Sequence, residues 1–473
     1  MISQHHADNL PIIRIKKVTL DDFKSVGHGE IVFDCGRDFV PYGTKSDILG
    51  LYGQNGSGKT AFIEALAILK SLMSGSTVSN VYADCVTIDK QFTRLEFVFG
   101  MQYHNGVVTE ATYSFCMGIK PLSKEEIAEK YRDISSINVP DEDNTVIIFD
   151  EKFFLLWKDV SKRQLIIDTS STDYPFTPTT RRREYVGNDK KTLFNLEMNK
   201  QKAKNSSRSF IFMESTLKMF ETKNNQSVAL NTLVELRYYT QELLHVIDSK
   251  SSGYIRPDLA IPVYTRNGLV LFGTRNPKMI LNDNLTELKN VFGNISLVLE
   301  QIVPGLTITL KEISPTLDKE GRPATYVFPV VNRDGEELPL RDESDGVRRI
   351  ISVLALIIDS FNEESMTVVI DDFDTGVSEF LLGEILQALE ESGCGQFIFT
   401  AHNLRPLEVL DRKYLYFTTT DPNNRYIRMK NISTTKNLRD AYLREIHLSE
   451  QDEEVYNKTK RYKIVSALKK ARR

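Results

Sequence analysis

Residues 53–60 read GQNGSGKT, a complete G-x-x-x-x-G-K-T sequence. A short apolar run (48–52, ILGLY) precedes it, and apolar residues recur at helical spacing between Thr60 and Met73. Glycines let consecutive backbone N–H groups turn toward phosphate oxygens, which a Cβ atom would obstruct. The positive end of the following helix points at the same anion. The stretch therefore predicts a phosphate-binding loop between a strand and a helix, with a simple Gly-rich turn as the alternative.

The residue types in this loop predict separate roles. Lys59 would reach the β- and γ-phosphates of ATP and contribute to catalysis, and the Thr60 hydroxyl would ligate Mg²⁺. ATP and Mg²⁺ are therefore the predicted cofactors. The predicted cofactor-binding residues of the loop are Gly53, Asn55, Gly56, Ser57, Gly58, Lys59 and Thr60.

A second run, 366–372 (MTVVIDD), is an apolar strand that ends in two aspartates. A phosphate loop needs another carboxylate for its metal, and we expect Asp371 to supply it. Asp372 would orient the attacking water and so act as a catalytic residue. An apolar strand that ends in Asp-Asp is common, so this interpretation depends on the presence of the loop.

Two shorter patterns complete the candidate site. His402 follows the strand-like run 395–400 (GQFIFT), where it could reach a γ-phosphate, although a histidine in this position is often structural. Ser344 and Gly346 stand at the start of a predicted helix, which could bind an anion. The alternative for Ser344 is an ordinary helix N-cap.

The order of the elements predicts an α/β fold. A helix (347–362), a strand (366–370), a helix (378–391) and a strand (396–400) alternate, as in a parallel sheet covered by helices. Strands at 94–100, 107–119 and 145–150 and a hairpin turn at Asp334-Gly335 add antiparallel elements.

The chain is predicted to consist of four parts. Long helical stretches, including 192–203 and 231–247, indicate an inserted helical subdomain. The parts are an N-terminal lobe with the phosphate loop (1–175), the helical insertion (176–284), a C-terminal lobe with the remaining site residues (285–433), and a C-terminal helix with a basic tail (434–473).

Composition narrows the class of protein. The net charge of −4 argues against a surface coated with nucleic-acid-binding charge. Four cysteines without a C-x-x-C pair favour a reducing cytoplasm over a disulfide framework. No stretch approaches the length of a membrane span, so we expect a cytoplasmic protein without a membrane partner.

The sequence resembles the ABC-type and SMC-like ATPases in the order GQNGSGKT, ESDGVRRI, VVIDD and TAH. The opening 18–33 (VTLDDFKSVGHGEIVF), the helical insertion and the hairpin before ESDGVRRI resemble AAA-type ABC ATPases of bacteria. Many members of that group belong to antiphage or abortive-infection systems, including retron-associated, Septu-type and PARIS-type ATPases. The resemblance covers about 10–120 and 285–430 and implies an ABC-type P-loop ATPase head.

The resemblance also implies roles for single residues. Ser344 and Gly346 match the signature that closes on the nucleotide of a second subunit, Asp371 the metal carboxylate and His402 the switch histidine. The family usually has Glu where this chain has Asp372, which shortens the side chain by roughly one C–C bond, ~1.5 Å. Because an error near 1 Å can cost on the order of 100-fold in rate, slow turnover is expected.

Two functions remain open at this point. In the first, the chain is an ATPase that forms a homodimer or higher homo-oligomer and regulates a separately encoded effector, a nuclease or a toxin, in antiphage defence. In the second, it is a DNA-binding repair or clamp ATPase of the RecF or SMC kind.

Nucleic acid therefore stays open as a partner. Residues 458–473 hold eight lysines and arginines without an acid, and Arg181–Arg183 begin a second basic run. Solvated surface charge is the alternative for both runs.

Overall fold

The computed structural model describes residues 10–33, 45–123, 144–157, 160, 162–221, 227–248, 250, 260–265, 268–273, 276–430, 437–448, 451–458 and 460–471. Cys35, one of the four cysteines, and Arg472 and Arg473 of the basic tail lie outside them. The chain divides into two compact units, which are Met1–Val40, Leu49–Tyr238 and Leu410–Arg473 for the first, and Pro41–Ile48 and Tyr239–Val409 for the second.

The first unit contains an antiparallel sheet in the order β2-β1-β4-β5-β6-β7. Its inward-facing side chains are large and apolar, with Phe97, Phe99 and Phe115 almost fully buried. Burial alternates along β6 and the first half of β4, as in an antiparallel sheet with one solvated face, whereas β1 and β5 contain runs of four buried residues. The strands are β1 (Ile12–Phe23), β2 (Val26–Val32), β4 (Phe92–Gln102), β5 (Val108–Pro121), β6 (Asn144–Trp157) and β7 (Gln164–Asp168).

A second group of elements in this unit surrounds helix α1 (Lys59–Met73). Strand β3 (Asp47–Tyr52) leads to this helix, and its residues Gly50–Tyr52 pair in parallel with β17 (Leu415–Thr418). Strand β18 (Tyr426–Ile427) pairs antiparallel with β17. Helix α1 is buried on nearly all sides, which explains why its apolar residues are not confined to one stripe.

The remaining helices of the first unit lie in two stretches of the chain. Near-complete burial of Tyr185, Leu196, Phe220 and Leu233 shows that the first four pack into the unit. The helices are α2 (Thr179–Val186), α3 (Lys190–Asn205), α4 (Glu214–Glu221), α5 (Val228–Tyr238), α10 (Leu438–Leu448) and α11 (Arg461–Lys470), with a short 3₁₀ turn at Asn80–Cys85.

The second unit has a parallel group of strands, β8 (Leu244–Ile247), β15 (Thr367–Ile370) and β16 (Gln396–Thr400). Strand β15 lies between the other two and pairs in parallel with both. Every residue of the three strands is buried, as parallel strands covered on both faces require. Helix α7 (Asp345–Asn362) precedes β15, helix α8 (Glu379–Ser392) connects β15 to β16, and helix α9 (Pro406–Val409) follows β16.

Antiparallel strands and a long helix complete this unit. Helix α6 (Asn282–Ile302) buries Leu288, Phe292, Ile295 and Leu299 at helical spacing. Asp334 and Gly335 both adopt positive φ between β13 and β14, which is the two-residue hairpin turn that their types predict. The strands are β9 (Ala260–Thr265), β10 (Gly268–Gly273), β11 (Lys278–Leu281), β12 (Leu306–Leu317), β13 (Pro323–Arg333) and β14 (Glu336–Pro339).

The structure confirms the predicted α/β class, with parallel and antiparallel sheets and a set of helices after residue 178. The helix predicted over 231–247 is wrong in its last part. Helix α5 ends at Tyr238, one π-helical turn covers Tyr239–Leu243, and the next four residues form strand β8. Periodicity alone cannot tell whether a short, mainly apolar run is a helix or a strand. Here the run is a strand because it pairs in parallel with β15.

The four-part division at 176–284, 285–433 and 434–473 stays a prediction. Within the described part of the chain, no helix is long and apolar enough to cross a membrane.

Candidate functional site

The predicted phosphate loop lies between β3 and α1 in the first unit, and its glycines have the backbone that their type allows. Gly53, Gly56 and Gly58 have φ values of 152°, 78° and 100°. A Cβ atom at Gly53 would lie 1.6 Å from Thr418 Oγ1, so no other residue fits there without a rearrangement.

The start of α1 is open to an anion. Its N-cap is Gly58, which has no side chain that could cover the helix end, and its first turn contains no acidic residue. The first N–H groups of a helix have no partner within the helix, so an anion can accept from them. Lys59 is 6% exposed, and its Nζ donates to the carbonyl oxygens of Gly53 at 2.9 Å and Gln54 at 3.3 Å. The glycines, the N-terminus of α1, a lysine and the hydroxyl of Thr60 together fit the phosphates of ATP and their Mg²⁺.

Residues from the far end of the chain hold this loop. Tyr426 donates its hydroxyl proton to the Gly58 carbonyl at 2.8 Å, and burial raises the pKa of Tyr426, so the hydroxyl keeps its proton. The hydroxyl oxygens of Thr418 and Ser57 are 2.5 Å apart. Arg425 donates to the carbonyl oxygens of Ser25 and Thr419, and burial lowers the pKa of its guanidinium.

In the second unit, Asp371 directly follows β15 and is 6% exposed. Its Oδ1 accepts a hydrogen bond of 2.6 Å from the Thr400 hydroxyl, and Thr400 is the last residue of the neighbouring strand β16. The Thr400 hydroxyl oxygen in turn accepts from the backbone N–H of Asp372 at 2.8 Å. One threonine therefore fixes both aspartates.

Asp372 adopts the left-handed backbone region, with φ of 48°. Asp and Asn are the non-glycine residues most tolerant of this region. Its side chain is 46% exposed and is therefore accessible to a ligand. The left-handed backbone thus gives a local reason for Asp at this position.

His402 lies beside Asp372, with its Nε2 3.5 Å from Asp372 Oδ1. Asp374 Oδ2 accepts from the backbone N–H groups of His402 at 2.9 Å and Asn403 at 2.7 Å. The residues Asp371–Asp374, here called the carboxylate turn, are therefore tied to the segment that carries the histidine.

Helix α7 begins beside the carboxylate turn. Arg349 Nη2 donates to the carbonyl oxygens of Asp371 at 3.1 Å and Asp372 at 2.7 Å. A Cβ atom at Gly346 would lie 2.6 Å from the Gly376 carbonyl oxygen, so the glycine permits a close approach of two backbones.

Ser344 is the N-cap of α7, and its Oγ accepts from Val347 N at 3.3 Å. Ser344 therefore acts as a helix N-cap, which was the alternative to anion binding. Because its oxygen is the acceptor in this bond, its hydroxyl proton can still be donated to an anion. Asp345 in the first turn is 85% exposed and its carboxylate contacts Arg348, which offsets its charge.

The predicted residues thus form two groups. The loop residues Gly53 to Thr60 lie together in the first unit, and Asp371, Asp372, His402, Ser344 and Gly346 lie together in the second. The supporting residues were not predicted from the sequence; they are Thr400, Arg349, Asp374, Thr418 and Tyr426. Two of them carry a signal in the sequence. Thr400 is a polar residue at the end of an otherwise apolar strand, and Arg349 is a charged residue shortly after Ser344 and Gly346.

A family model described as an AAA ATPase domain matches residues 14–404, which include both groups. The chain belongs to this family and is an ATP-hydrolysing enzyme.

A search of the curated proteins gave no significant match. Among solved structures, the Smc head bound to the C-winged helix domain of ScpA is similar at 11% identity, covering 88% of this chain and 98% of that chain, with a TM-score of 0.37. The SMC head domain from Thermotoga maritima is 13% identical over 88% of this chain and 100% of that chain, with a TM-score of 0.35. The recombination mediator protein RecF-ATPrS of the RecFOR pathway is 12% identical over 84% and 95%, with a TM-score of 0.35.

Proposed function

We propose that the protein is an ABC-type ATPase whose ATP-bound state is a homodimer that regulates a separately encoded effector, a nuclease or a toxin, in antiphage defence. Residues 53–60 bind the phosphates of ATP, and Thr60 and Asp371 hold Mg²⁺. The metal neutralises charge on the phosphates. Asp372 orients water, and His402 contacts the γ-phosphate.

The observation that carries this proposal is the exposed start of α7. Ser344 is exposed at the N-terminus of an 18-residue helix whose Arg349 holds the carbonyl groups of Asp371 and Asp372. An anion bound by Ser344 and Gly346 could therefore affect the positions of Asp371 and Asp372 in the same subunit through α7 and Arg349. If the anion is the γ-phosphate on a second copy, hydrolysis and dimerisation are coupled.

The test measures mass in solution with and without ATP, using Asp372→Asn to slow hydrolysis. We expect a monomer without ATP and a dimer with ATP. Ser344→Arg, added to Asp372→Asn, should abolish the dimer because a bulky cation blocks the start of α7. The matched control is Ser392→Arg, an exposed serine at the other end of α8 from the carboxylate turn. A dimer that survives Ser344→Arg, or one that forms without ATP, contradicts the proposal.

The defence role is tested by phage plating on cells that carry the gene with its neighbours. Wild type should protect, and Lys59→Ala should not. A chain that protects equally well with Lys59→Ala does not use ATP as its switch.

The second candidate function is a DNA-binding repair or clamp ATPase of the RecF or SMC kind. It is favoured by α11, whose Arg461, Lys463, Lys469 and Lys470 are all exposed. DNA affinity that falls steeply with salt, in a chain that gives no protection against phage, would support this function instead.

A further inference from the structure

A segment that follows the matched ATPase domain reaches the phosphate loop. Residues 451–458 are anchored at their start, where Gln451 N donates to Glu445 Oε2 at 3.0 Å. Further along, Thr420 N donates to the Glu454 carbonyl oxygen at 2.7 Å, and Val455 is 2% exposed. The segment is therefore packed in place within the first unit, although the family match ends at residue 404.

The last contact of this segment is with the loop itself. The backbone N–H of Asn457 donates to Gln54 Oε1 at 2.9 Å. Gln54 is the second residue of the loop, and its own carbonyl oxygen accepts from Ser57 N at 3.2 Å and from Lys59 Nζ at 3.3 Å. A single glutamine thus joins the C-terminal segment to the lysine of the phosphate loop.

We propose that residues 451–458 belong to the nucleotide site, where they position the phosphate loop for ATP through Gln54. The inference rests on the proposed role of residues 53–60 in binding ATP. Ordering a glycine-rich loop costs conformational entropy, and a loop that is ordered before ATP arrives does not incur that cost on binding. Gln54 is accordingly a positioning residue that acts on ATP affinity and not on the chemical step.

The contact leaves almost no trace in the sequence, because its donor is a backbone N–H. Asn457 is exposed, and its side chain is not part of the contact. Any residue except proline supplies the same donor. This property provides a matched pair of variants at one position.

The experiment measures ATP hydrolysis and ATP binding for Asn457→Pro and Asn457→Ala in the full chain. Loss of one hydrogen bond corresponds to roughly fivefold in an equilibrium constant. Asn457→Pro should raise KM and Kd for ATP by about that factor, with kcat unchanged and the melting temperature kept. Asn457→Ala should behave as wild type. Equal affinities for Asn457→Pro and Asn457→Ala would overturn the inference.

Because proline can also disturb the neighbouring backbone, the acceptor is removed separately with Gln54→Leu. This variant should show the same rise in KM, and the double variant Gln54→Leu/Asn457→Pro should be no weaker than either single one. Additive effects, or a loss confined to kcat, would overturn the inference. Lys59→Ala distinguishes the two proposals: if it binds ATP as wild type does, the phosphate loop itself is misassigned.

Discussion

The phosphate loop of the first unit and the carboxylate turn of the second are held in shape by different means. The loop depends on backbone that only glycine adopts easily, at Gly53, Gly56 and Gly58. The carboxylate turn depends on side chains from elsewhere in its unit, above all Thr400 and Arg349. The glycines of the loop lie within one short motif, and Tyr426 and Thr418 support them from a distance, whereas the carboxylate turn depends mainly on such distant side chains.

The difference predicts how each region responds to mutation. At Gly53 of the loop, an added methyl group would overlap Thr418, so a small change there should be severe. In the carboxylate turn, removal of one hydrogen bond leaves other bonds in place, so the loss should be graded.

The largest effect is expected for Gly53→Ala. The new Cβ would lie 1.6 Å from Thr418 Oγ1, at a φ of 152° that side chains rarely adopt. ATP affinity, measured by titration with a fluorescent analogue, should fall by roughly 100-fold or more because the loop must move. The matched control is Gly293→Ala in α6, where a Cβ meets nothing within 4 Å and affinity should be unchanged. A Gly53→Ala chain that binds ATP normally would show that the loop is not rigid.

The next effect is on catalysis, through Asp372→Asn. Asn tolerates the left-handed backbone as Asp does, so the variant removes the charge and keeps the conformation. We expect kcat to fall about 100-fold with little change in KM, because the carboxylate that orients water is lost. Steady-state ATPase assays measure both constants. If kcat falls less than about threefold, Asp372 is not the residue that orients water.

This contrast explains which parts of the site could be predicted from the sequence. The loop, the strand before it and helix α1 are encoded within about two dozen neighbouring residues, and all were predicted. The supports were not, because Tyr426 reaches Gly58 across 368 positions and Thr400 reaches Asp371 across 29. The strand β8 was predicted as helix for a related reason: its four residues, three of them apolar, form a strand only because β15 lies beside them. The left-handed backbone of Asp372, which favours Asp at this position, likewise could not be predicted from the sequence.

A moderate effect is expected for Thr400→Val, which keeps the shape of the side chain and removes its hydroxyl. The variant loses the bond to Asp371 Oδ1 and leaves the Asp372 N–H without its acceptor. At about 1 kcal/mol for each bond, ATP hydrolysis should fall roughly 10- to 30-fold. ATP binding by the loop should stay within twofold, measured with the same fluorescent analogue. An equal loss of binding and hydrolysis would mean that the two regions are not held independently.

The smallest effect concerns Asp359, near the end of α7 opposite to Ser344. Burial, and to a lesser extent the charge of Glu363, raise the pKa of Asp359 to about 6. The unfolded pKa is near 3.9, so between about pH 4 and pH 6 the folded chain binds a proton that the unfolded chain has released. The stability of the folded state therefore falls as the pH rises through this window and then stays at its lower level.

Asp359→Asn removes this dependence because the amide carries no charge at any of these pH values. Its melting temperature should exceed that of wild type by a few degrees at pH 8, corresponding to about 1–2 kcal/mol after allowance for solvent screening. The difference should shrink to about a third near pH 4.5, where the unfolded aspartate is already mostly ionised, and calorimetry at both pH values measures it. The matched control is Asp452→Asn, whose side chain is 86% exposed and whose melting temperature should follow wild type at both pH values. A gain of the same size at pH 4.5 and pH 8 would mean that the aspartate destabilises α7 through its shape and not through its charge.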